Sequence, residues 1–223
     1  MPTRWARPWF AATAACVATG VIISVFTAVN NTNGYFQSGV ARGFNTFAFF
    51  TVLSNLLVGV AAVALAARPD RSSSAFAVLR LTGVVAIIVT GVVYHVALAR
   101  LADLESWDLV GDQLVHTVVP VLAVVGWLAF GPRGLTSAQV ARWSLVFPVG
   151  WLVFTLIRGA AVGFYPYPFV DVSHLGYFKV LVNCVWVSLL YFALAGGATA
   201  VDRRLAQGPQ LPHPDPRPSP PEG

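Results

Sequence analysis

A hydroxyl and an imidazole lie inside two separate apolar stretches of this chain. Thr51 belongs to "FFTVLSN", and His116 belongs to "DQLVHTVVPV", residues 112–121. A threonine hydroxyl becomes a nucleophile when a neighbouring base removes its proton, and histidine fills that role in hydroxyl-dependent acyl transfer. The two residues could therefore form a catalytic pair. On these residues alone, a histidine that is simply hydrogen-bonded within the core explains His116 at least as well.

Other polar residues lie at a similar depth in the apolar stretches. At 1.5 Å per residue, Thr51, His116, Arg158 and Asn183 each fall roughly 9–10 Å from the same end of their predicted helices. Polar residues at such depth are costly and usually functional, so the pattern predicts one shared pocket near the outer leaflet. Separate hydrogen bonds between helices are the alternative. The remaining candidates are Asn55, one turn beyond Thr51, together with His95 and Lys179.

Arg158 needs an anion, because a guanidinium does not lose its charge in a protein. Asp171 and Asp112 are possible internal partners. A substrate carboxylate or a lipid phosphate is the other possibility, and Lys179 is predicted to lie at a similar depth. An apolar pocket with cations at its rim would suit an amphiphile with an acyl chain and an acidic head. A structural pair between Arg158 and an aspartate is equally compatible with the sequence.

Two local features modify the predicted pocket. Pro120 has no N–H to donate to the carbonyl of His116, so we expect a kink there that widens a cavity, unless the spacing is chance. The segment "YPYPFVDVSHLGY", residues 165–177, is rich in Tyr and Pro. Aromatic residues of this kind are typical of the membrane interface, and the prolines stiffen the loop, which could cover the pocket as a lid.

The elements that must position these residues are membrane-spanning helices. Hydrophobic residues make up 57% of the chain, charged residues 10%, and the mean hydropathy is +0.70. Soluble domains carry about 25% charged residues, and the continuous apolar runs lack the period-two alternation of a barrel. The sequence predicts an all-α polytopic protein with six spans. Their expected bounds are about 9–30, 44–67, 77–100, 110–130, 143–164 and 177–200.

Charge distribution predicts the orientation. The loops on one side carry most of the Arg residues, and the loops on the other carry Arg42 with an acidic group. The positive-inside rule then places both termini in the cytoplasm and the acidic loop outside. The acidic group is Asp103, Glu105, Asp108 and Asp112. The expected organisation is a cytoplasmic N-terminus (1–8), a six-helix domain (9–205) and a disordered Pro-rich cytoplasmic tail (206–223).

Several partners are not expected. The chain has no clustered basic face for nucleic acid, and Cys16 and Cys184 lack the His or Cys neighbours of a metal site. No internal repeat is evident, which lowers the odds of an inverted-repeat transporter. The prevalence of Arg over Lys and the richness in Ala, Gly and Pro suggest a bacterial protein, and hence a bacterial plasma membrane.

Three motifs, in order, give the chain a resemblance to a known family. "FFTVLSN", "HTVVPVL" and "YPYPFVDVSHLGY" resemble segments of the androgen-induced gene product family, which includes the androgen-dependent TFPI-regulating protein (ADTRP) and related bacterial membrane proteins. The resemblance covers about residues 9–200. Animal members are integral-membrane threonine hydrolases that cleave fatty acid esters of hydroxy fatty acids. We expect no cofactor for this chain.

The resemblance implies roles for individual residues. Thr51 matches the family's nucleophile and His116 its histidine base, with Pro120 in the expected context. Asn55 or Asn183 could then donate to an oxyanion, and Arg158 or Lys179 could hold a substrate carboxylate, with His95 as a further substrate-binding candidate. The expected partner is a lipid or fatty acyl ester in the membrane. A non-catalytic lipid-binding protein, an assembly partner and a small transporter remain the alternatives.

Overall fold

Six helical spans form the protein, whose computed structural model describes residues 3–100, 104 and 106–207. Each span is long and apolar enough to cross a membrane, judged by length and composition. The spans are Ala6–Asn30, Phe50–Ala67, Ser74–Leu98, Ser106–Phe130, Ala138–Val162 and Val172–Gln207. The prediction of an all-α integral membrane protein with six spans is confirmed. Asp103, Glu105 and residues 208–223 of the predicted tail lie outside the described residues.

In the described part of the chain, nine α-helices and several shorter helical turns make up these spans and their connections. The α-helices are α1 (Ala6–Asn30), α2 (Gly39–Asn45), α3 (Phe50–Ala67), α4 (Ser74–Val93), α5 (Ser106–Gln113), α6 (Val119–Phe130), α7 (Ala138–Ser144), α8 (Val146–Val162) and α9 (Val172–Gln207). Two segments of the described chain are π-helical. Tyr94–Leu98 follows α4, and Leu114–Val118 joins α5 to α6. Short 3-10 turns occupy Thr3–Trp5, Thr46–Ala48 and Pro168–Val170 within the described chain.

The central helix of the bundle is α4. In an apolar 18-residue stretch of its span, 72% of the residues are buried, against 11% in the span that contains α8 and 17% in α9. Two glycines allow the close approach of neighbours. Gly83 lies against the backbone of α3, and Gly91 lies against the His116 carbonyl and the Pro120 ring. Small residues of this kind let helices pack backbone to backbone in membranes.

The second span differs from its prediction as one helix over 44–67. The chain is extended at Phe49, with φ −78° and ψ 133°, and α3 begins at Phe50. Thr51 is therefore the second residue of a helix, not a residue seven positions inside one. Long-range contacts stabilise the break. Trp151 Nε1 donates to the Ala48 carbonyl over 2.9 Å, and the Phe49 ring packs edge-on against Tyr167.

The distortion expected at Pro120 takes the form of a π-helical turn. The N–H of Val119 donates to the carbonyl of Leu114, five residues earlier, which closes the segment that contains His116. Pro120 is then the second residue of α6. Helical residues precede Pro120 without interruption, so its missing N–H leaves one carbonyl of the preceding turn without an intrahelical donor. The proline thus marks the point where one helical segment ends and the next begins.

A short loop that covers the start of α3 connects α8 to α9. Gly163 ends α8 in the left-handed conformation, with φ 72°, which a residue with a side chain rarely adopts. A second glycine, Gly176, interrupts α9 near its start with φ 73°. Between the two glycines the chain places Tyr167 in the interior, where the residue is 8% exposed.

Candidate active site

Thr51 and His116 meet in the interior of the bundle, although 65 residues separate them. The distance between Thr51 Oγ1 and His116 Nε2 is 3.2 Å. Thr51 is 7% exposed, and the His116 side chain is 14% exposed. The start of α3 supplies the hydroxyl and the π-helical segment Leu114–Val118 supplies the imidazole. The structure thus brings together the two residues that the sequence suggested as a pair.

Asp112 completes a series of three residues. Its Oδ1 atom lies 2.9 Å from His116 Nδ1, and its Oδ2 atom accepts a hydrogen bond from the Tyr94 hydroxyl. The Tyr94 ring also stacks on the imidazole, with centroids 4.0 Å apart and an angle of 11° between the planes. An ionised carboxylate can only accept hydrogen bonds, so the proton of the neutral imidazole lies on Nδ1. Nε2 is then free to accept the hydroxyl proton of Thr51.

Tyr167 contacts the same threonine from the opposite side. Its hydroxyl lies 3.1 Å from Thr51 Oγ1 and accepts a hydrogen bond of 3.1 Å from the Thr51 backbone N–H. Burial raises the pKa of Tyr167, although the hydrogen bonds from Thr51 and the backbone of Phe50 act in the opposite direction. The phenol is accordingly neutral at physiological pH and able to donate.

Polar groups one turn deeper fix the backbone of Thr51. The Asn55 amide donates to the carbonyl of Thr51 over 2.8 Å and to the carbonyl of Val115 over 3.1 Å. The Ser54 hydroxyl also donates to the Thr51 carbonyl and lies 2.9 Å from the Thr90 hydroxyl. Asn55 therefore ties α3 to the segment that carries His116. Both of its amide hydrogens are engaged below the threonine, not beside its hydroxyl.

A cavity of about 160 Å³ borders Thr51 and Tyr167. Its walls come from the start of α3, from α4, α8 and α9, and from the loop that carries Tyr167. Most lining residues are aliphatic or aromatic, including Trp151 and Phe169. The lining also includes Val149 and Phe192, which are 58% and 56% exposed. The cavity is thus bordered both by buried Thr51 and by residues exposed on the outside of the bundle.

The other candidates lie in separate places. His95 Nε2 is 3.2 Å from Thr117 Oγ1 at an exposed position. Arg158 donates to Asn45 Oδ1 over 2.8 Å and lies over the rings of Phe36 and Phe164.

The two remaining candidates belong to α9. Asn183 donates to the Phe169 carbonyl over 2.9 Å, and Lys179 is exposed. Of the seven candidates, only Thr51 lines this cavity. The pocket that we predicted from polar residues at one depth on five helices stays a prediction.

The aspartates that were possible partners of Arg158 are engaged elsewhere. Asp112 belongs to the series with His116, and Asp171 accepts from the N–H and hydroxyl of Ser173 at the start of α9. Among the described residues, no group of three His, Cys, Asp or Glu side chains could hold a metal ion. Cys16 and Cys184 are free thiols.

Sequence reasoning missed three members of the site. Asp112 precedes His116 by four residues, a spacing that places both on one helical face, so a local signal existed. Tyr94 and Tyr167 had no such signal in the sequence. The position of Tyr94 beside His116 depends on how the helices pack, and nothing in "YPYP" distinguishes Tyr167 from Tyr165. Hydroxyl, imidazole and carboxylate in this order can activate the hydroxyl for attack on a carbonyl.

No protein-family model, characterised protein or solved structure matches the chain.

Proposed function

We propose that this protein is an integral-membrane hydrolase of lipid esters, with Thr51 as the nucleophile and His116 as the general base. One observation carries the proposal. Thr51 Oγ1, His116 and Asp112 form a continuous series of close contacts, of 3.2 Å and 2.9 Å, and the hydroxyl end of that series borders an apolar cavity. Hydrolases on unrelated folds use the same order of groups.

In the proposed first step, His116 Nε2 accepts the Thr51 proton as Oγ1 attacks the ester carbonyl. The tetrahedral intermediate collapses when the bond to the leaving alcohol breaks and His116 returns the proton to that alcohol. The product is an acyl ester of Thr51. Asp112 stabilises the imidazolium that forms in between and keeps its ring oriented towards the hydroxyl.

In the second step, His116 removes a proton from water, which attacks the acyl-threonine carbonyl. Collapse of this intermediate releases the fatty acid and returns the proton to Thr51 Oγ1. The cycle needs only water and the ester, and the hydroxyl, imidazole and carboxylate end in their starting states.

The proposed substrate has a long acyl chain. The aliphatic and aromatic cavity lining favours such a chain over a polar substrate. The exposed positions of Val149 and Phe192 favour lateral access from the lipid phase. The family resemblance extends this to fatty acid esters of hydroxy fatty acids. Arg158 remains the proposed partner for the carboxylate of such a substrate, and Lys179 is the second choice. By the positive-inside rule, the site would face the outer leaflet of a bacterial plasma membrane.

Non-catalytic binding of an amphiphile is the second candidate function. The same cavity supports it, because most of its wall is apolar and could hold an acyl chain without any reaction. The two functions differ in what removal of the Thr51 hydroxyl does. A binder keeps its ligand, whereas a hydrolase loses turnover.

The deciding experiment is turnover of a long-chain 4-methylumbelliferyl ester by purified protein. Thr51→Val keeps the shape of the side chain and removes the hydroxyl. We expect it to lower kcat by at least about 10³-fold, as loss of a triad member does. A fluorophosphonate probe should label the wild type and spare Thr51→Val. Thr51→Ser, which restores a hydroxyl, should recover measurable turnover and labelling.

Thr155→Val is the matched control. Thr155 is also a buried threonine, and its hydroxyl has no hydrogen-bond partner in the described part of the chain. This variant should keep wild-type turnover and labelling. Equal turnover in the wild type and Thr51→Val, or labelling that persists in Thr51→Val, would rule out Thr51 as the nucleophile. Absence of turnover in the wild type would favour the binder.

A further inference from the structure

The direction of each hydrogen bond around Thr51 follows from which groups have a proton to donate and which can only accept one. The Nδ1–H of His116 is directed at Asp112, so Nε2 accepts and the Thr51 hydroxyl donates to it. Thr51 Oγ1 then has lone pairs available and no proton for Tyr167. The Tyr167 hydroxyl, 3.1 Å away, must donate to Oγ1. Its own lone pair accepts the Thr51 N–H.

This donor lies on the side from which an ester would approach. Thr51 and Tyr167 both line the cavity, whereas His116 does not, so a substrate carbonyl reaches Oγ1 next to the phenol. When Oγ1 bonds to the carbonyl carbon, the negative charge develops on an oxygen attached to that same carbon. The Tyr167 O–H, which pointed at Oγ1, can then donate a hydrogen bond to that oxygen.

Packing fixes the position of the phenol. The Tyr167 ring is parallel to Phe169, at 8° and 5.3 Å, and contacts Phe49 and Trp151 at 5.6 Å and 5.8 Å. Donors that are already oriented stabilise a developing charge without reorganisation during the reaction. The Thr51 N–H, which has no acceptor within α3, donates to the Tyr167 oxygen and so helps to hold the phenol in place.

We infer that Tyr167 is a catalytic residue that donates a hydrogen bond to the oxyanion of the tetrahedral intermediate, while the Thr51 N–H holds the phenol oxygen in position. This assignment rests on the proposed ester hydrolysis. It replaces Asn55 and Asn183 as oxyanion donors, because their amides donate to backbone carbonyls. It also explains why a tyrosine hydroxyl is buried beside the nucleophile.

The test is Tyr167→Phe, which keeps the ring and its packing. We expect kcat for the 4-methylumbelliferyl ester to fall about 10²- to 10³-fold with little change in KM, the effect of losing one oxyanion donor. Affinity for a long-chain trifluoromethyl ketone, which forms an oxyanion adduct with Thr51, should fall by a similar factor. Tyr165→Phe is the matched control, because the Tyr165 ring packs over Gly159 and not on Thr51.

A second measurement uses fluorinated tyrosines inserted at position 167. Because burial raises the pKa of this phenol, a moderately more acidic analogue should still carry its proton at neutral pH. The logarithm of kcat should vary with the acidity of the phenol, which a purely structural role would not produce. This series decides the question even if Tyr167→Phe fails to fold.

The outcomes separate the two proposals. An active wild type, an inactive Thr51→Val and a Tyr167→Phe with unchanged kcat would overturn the role of Tyr167 and leave the hydrolase proposal standing. A kcat that does not depend on phenol acidity would overturn it as well. An inactive wild type would overturn both proposals.

Discussion

The Nδ1 atom of His116 lies 2.9 Å from Oδ1 of Asp112, four residues earlier in the same span. The other carboxylate oxygen accepts from Tyr94, whose ring stacks on the imidazole. Asp112 thereby fixes both the tautomer and the orientation of His116. The free Nε2 atom faces Thr51 at 3.2 Å. If the site is catalytic, the carboxylate should matter nearly as much as the base itself.

Asp112→Asn tests this relationship. An asparagine amide can donate to Nδ1, which would place the imidazole proton on Nε2 and prevent it from accepting the Thr51 proton. We expect kcat for a long-chain ester to fall about 10³- to 10⁴-fold, as for the equivalent change in serine proteases. Asp108→Asn is the control, because Asp108 is an exposed aspartate on the same helix, α5. A similar, small effect of both changes would show that Asp112 has no special role.

Tyr94→Phe removes the donor to Asp112 and keeps the ring that stacks on His116. A hydrogen bond to a charged group contributes about 1.5–3 kcal/mol, so kcat should fall about ten- to hundredfold. Tyr94→Leu, which also removes the stacked ring, should lose more. Tyr35→Phe provides the comparison, since Tyr35 is 57% exposed and donates to a carbonyl remote from Thr51. A Tyr94→Phe variant with wild-type kcat would contradict this role.

Gly159→Ala should disturb the site from a distance. The Tyr165 ring occupies the space that a Cβ at Gly159 would need, so the loop that carries Tyr167 must move. We expect lower kcat and a lower Tm. Gly150→Ala on the same helix, α8, meets nothing within 4 Å and should leave kcat unchanged. Its Tm should hold or rise, because alanine favours a helix over glycine by about 1 kcal/mol. Equal behaviour of the two variants would show that the loop position is not important.

The six-span architecture predicts the sides on which chain segments emerge. Three spans lie between Asp108 and the end of the chain, so reporters fused at Asp108 and at the C-terminus should report opposite sides of the membrane. The positive-inside rule places the C-terminal reporter in the cytoplasm. Alkaline phosphatase and green fluorescent protein fusions measure this directly. Agreement between the two positions would contradict the topology.

The fold class could be predicted because it depends on local composition. Continuous apolar runs of about 20 residues have few options in hydrocarbon other than helices, since each backbone N–H and C=O must be paired. The six spans were identified on that basis, with ends that differ by several residues. The break at Phe49 was not predicted, because it depends on Trp151 and Tyr167, which lie far away in sequence.

The sequence by itself determined which residues could react and which helical face they share. Asp112 and His116 are four positions apart in one helical span, so their spacing along the chain already placed them on one helical face. Only the tertiary structure decided that Thr51 meets His116 and that Tyr167, rather than Tyr165, contacts its hydroxyl. In sequence, Thr51 is separated from His116 by 65 positions and from Tyr167 by 116 positions. Separations of that size are set by how helices pack, and spacing along the chain carries no information about them.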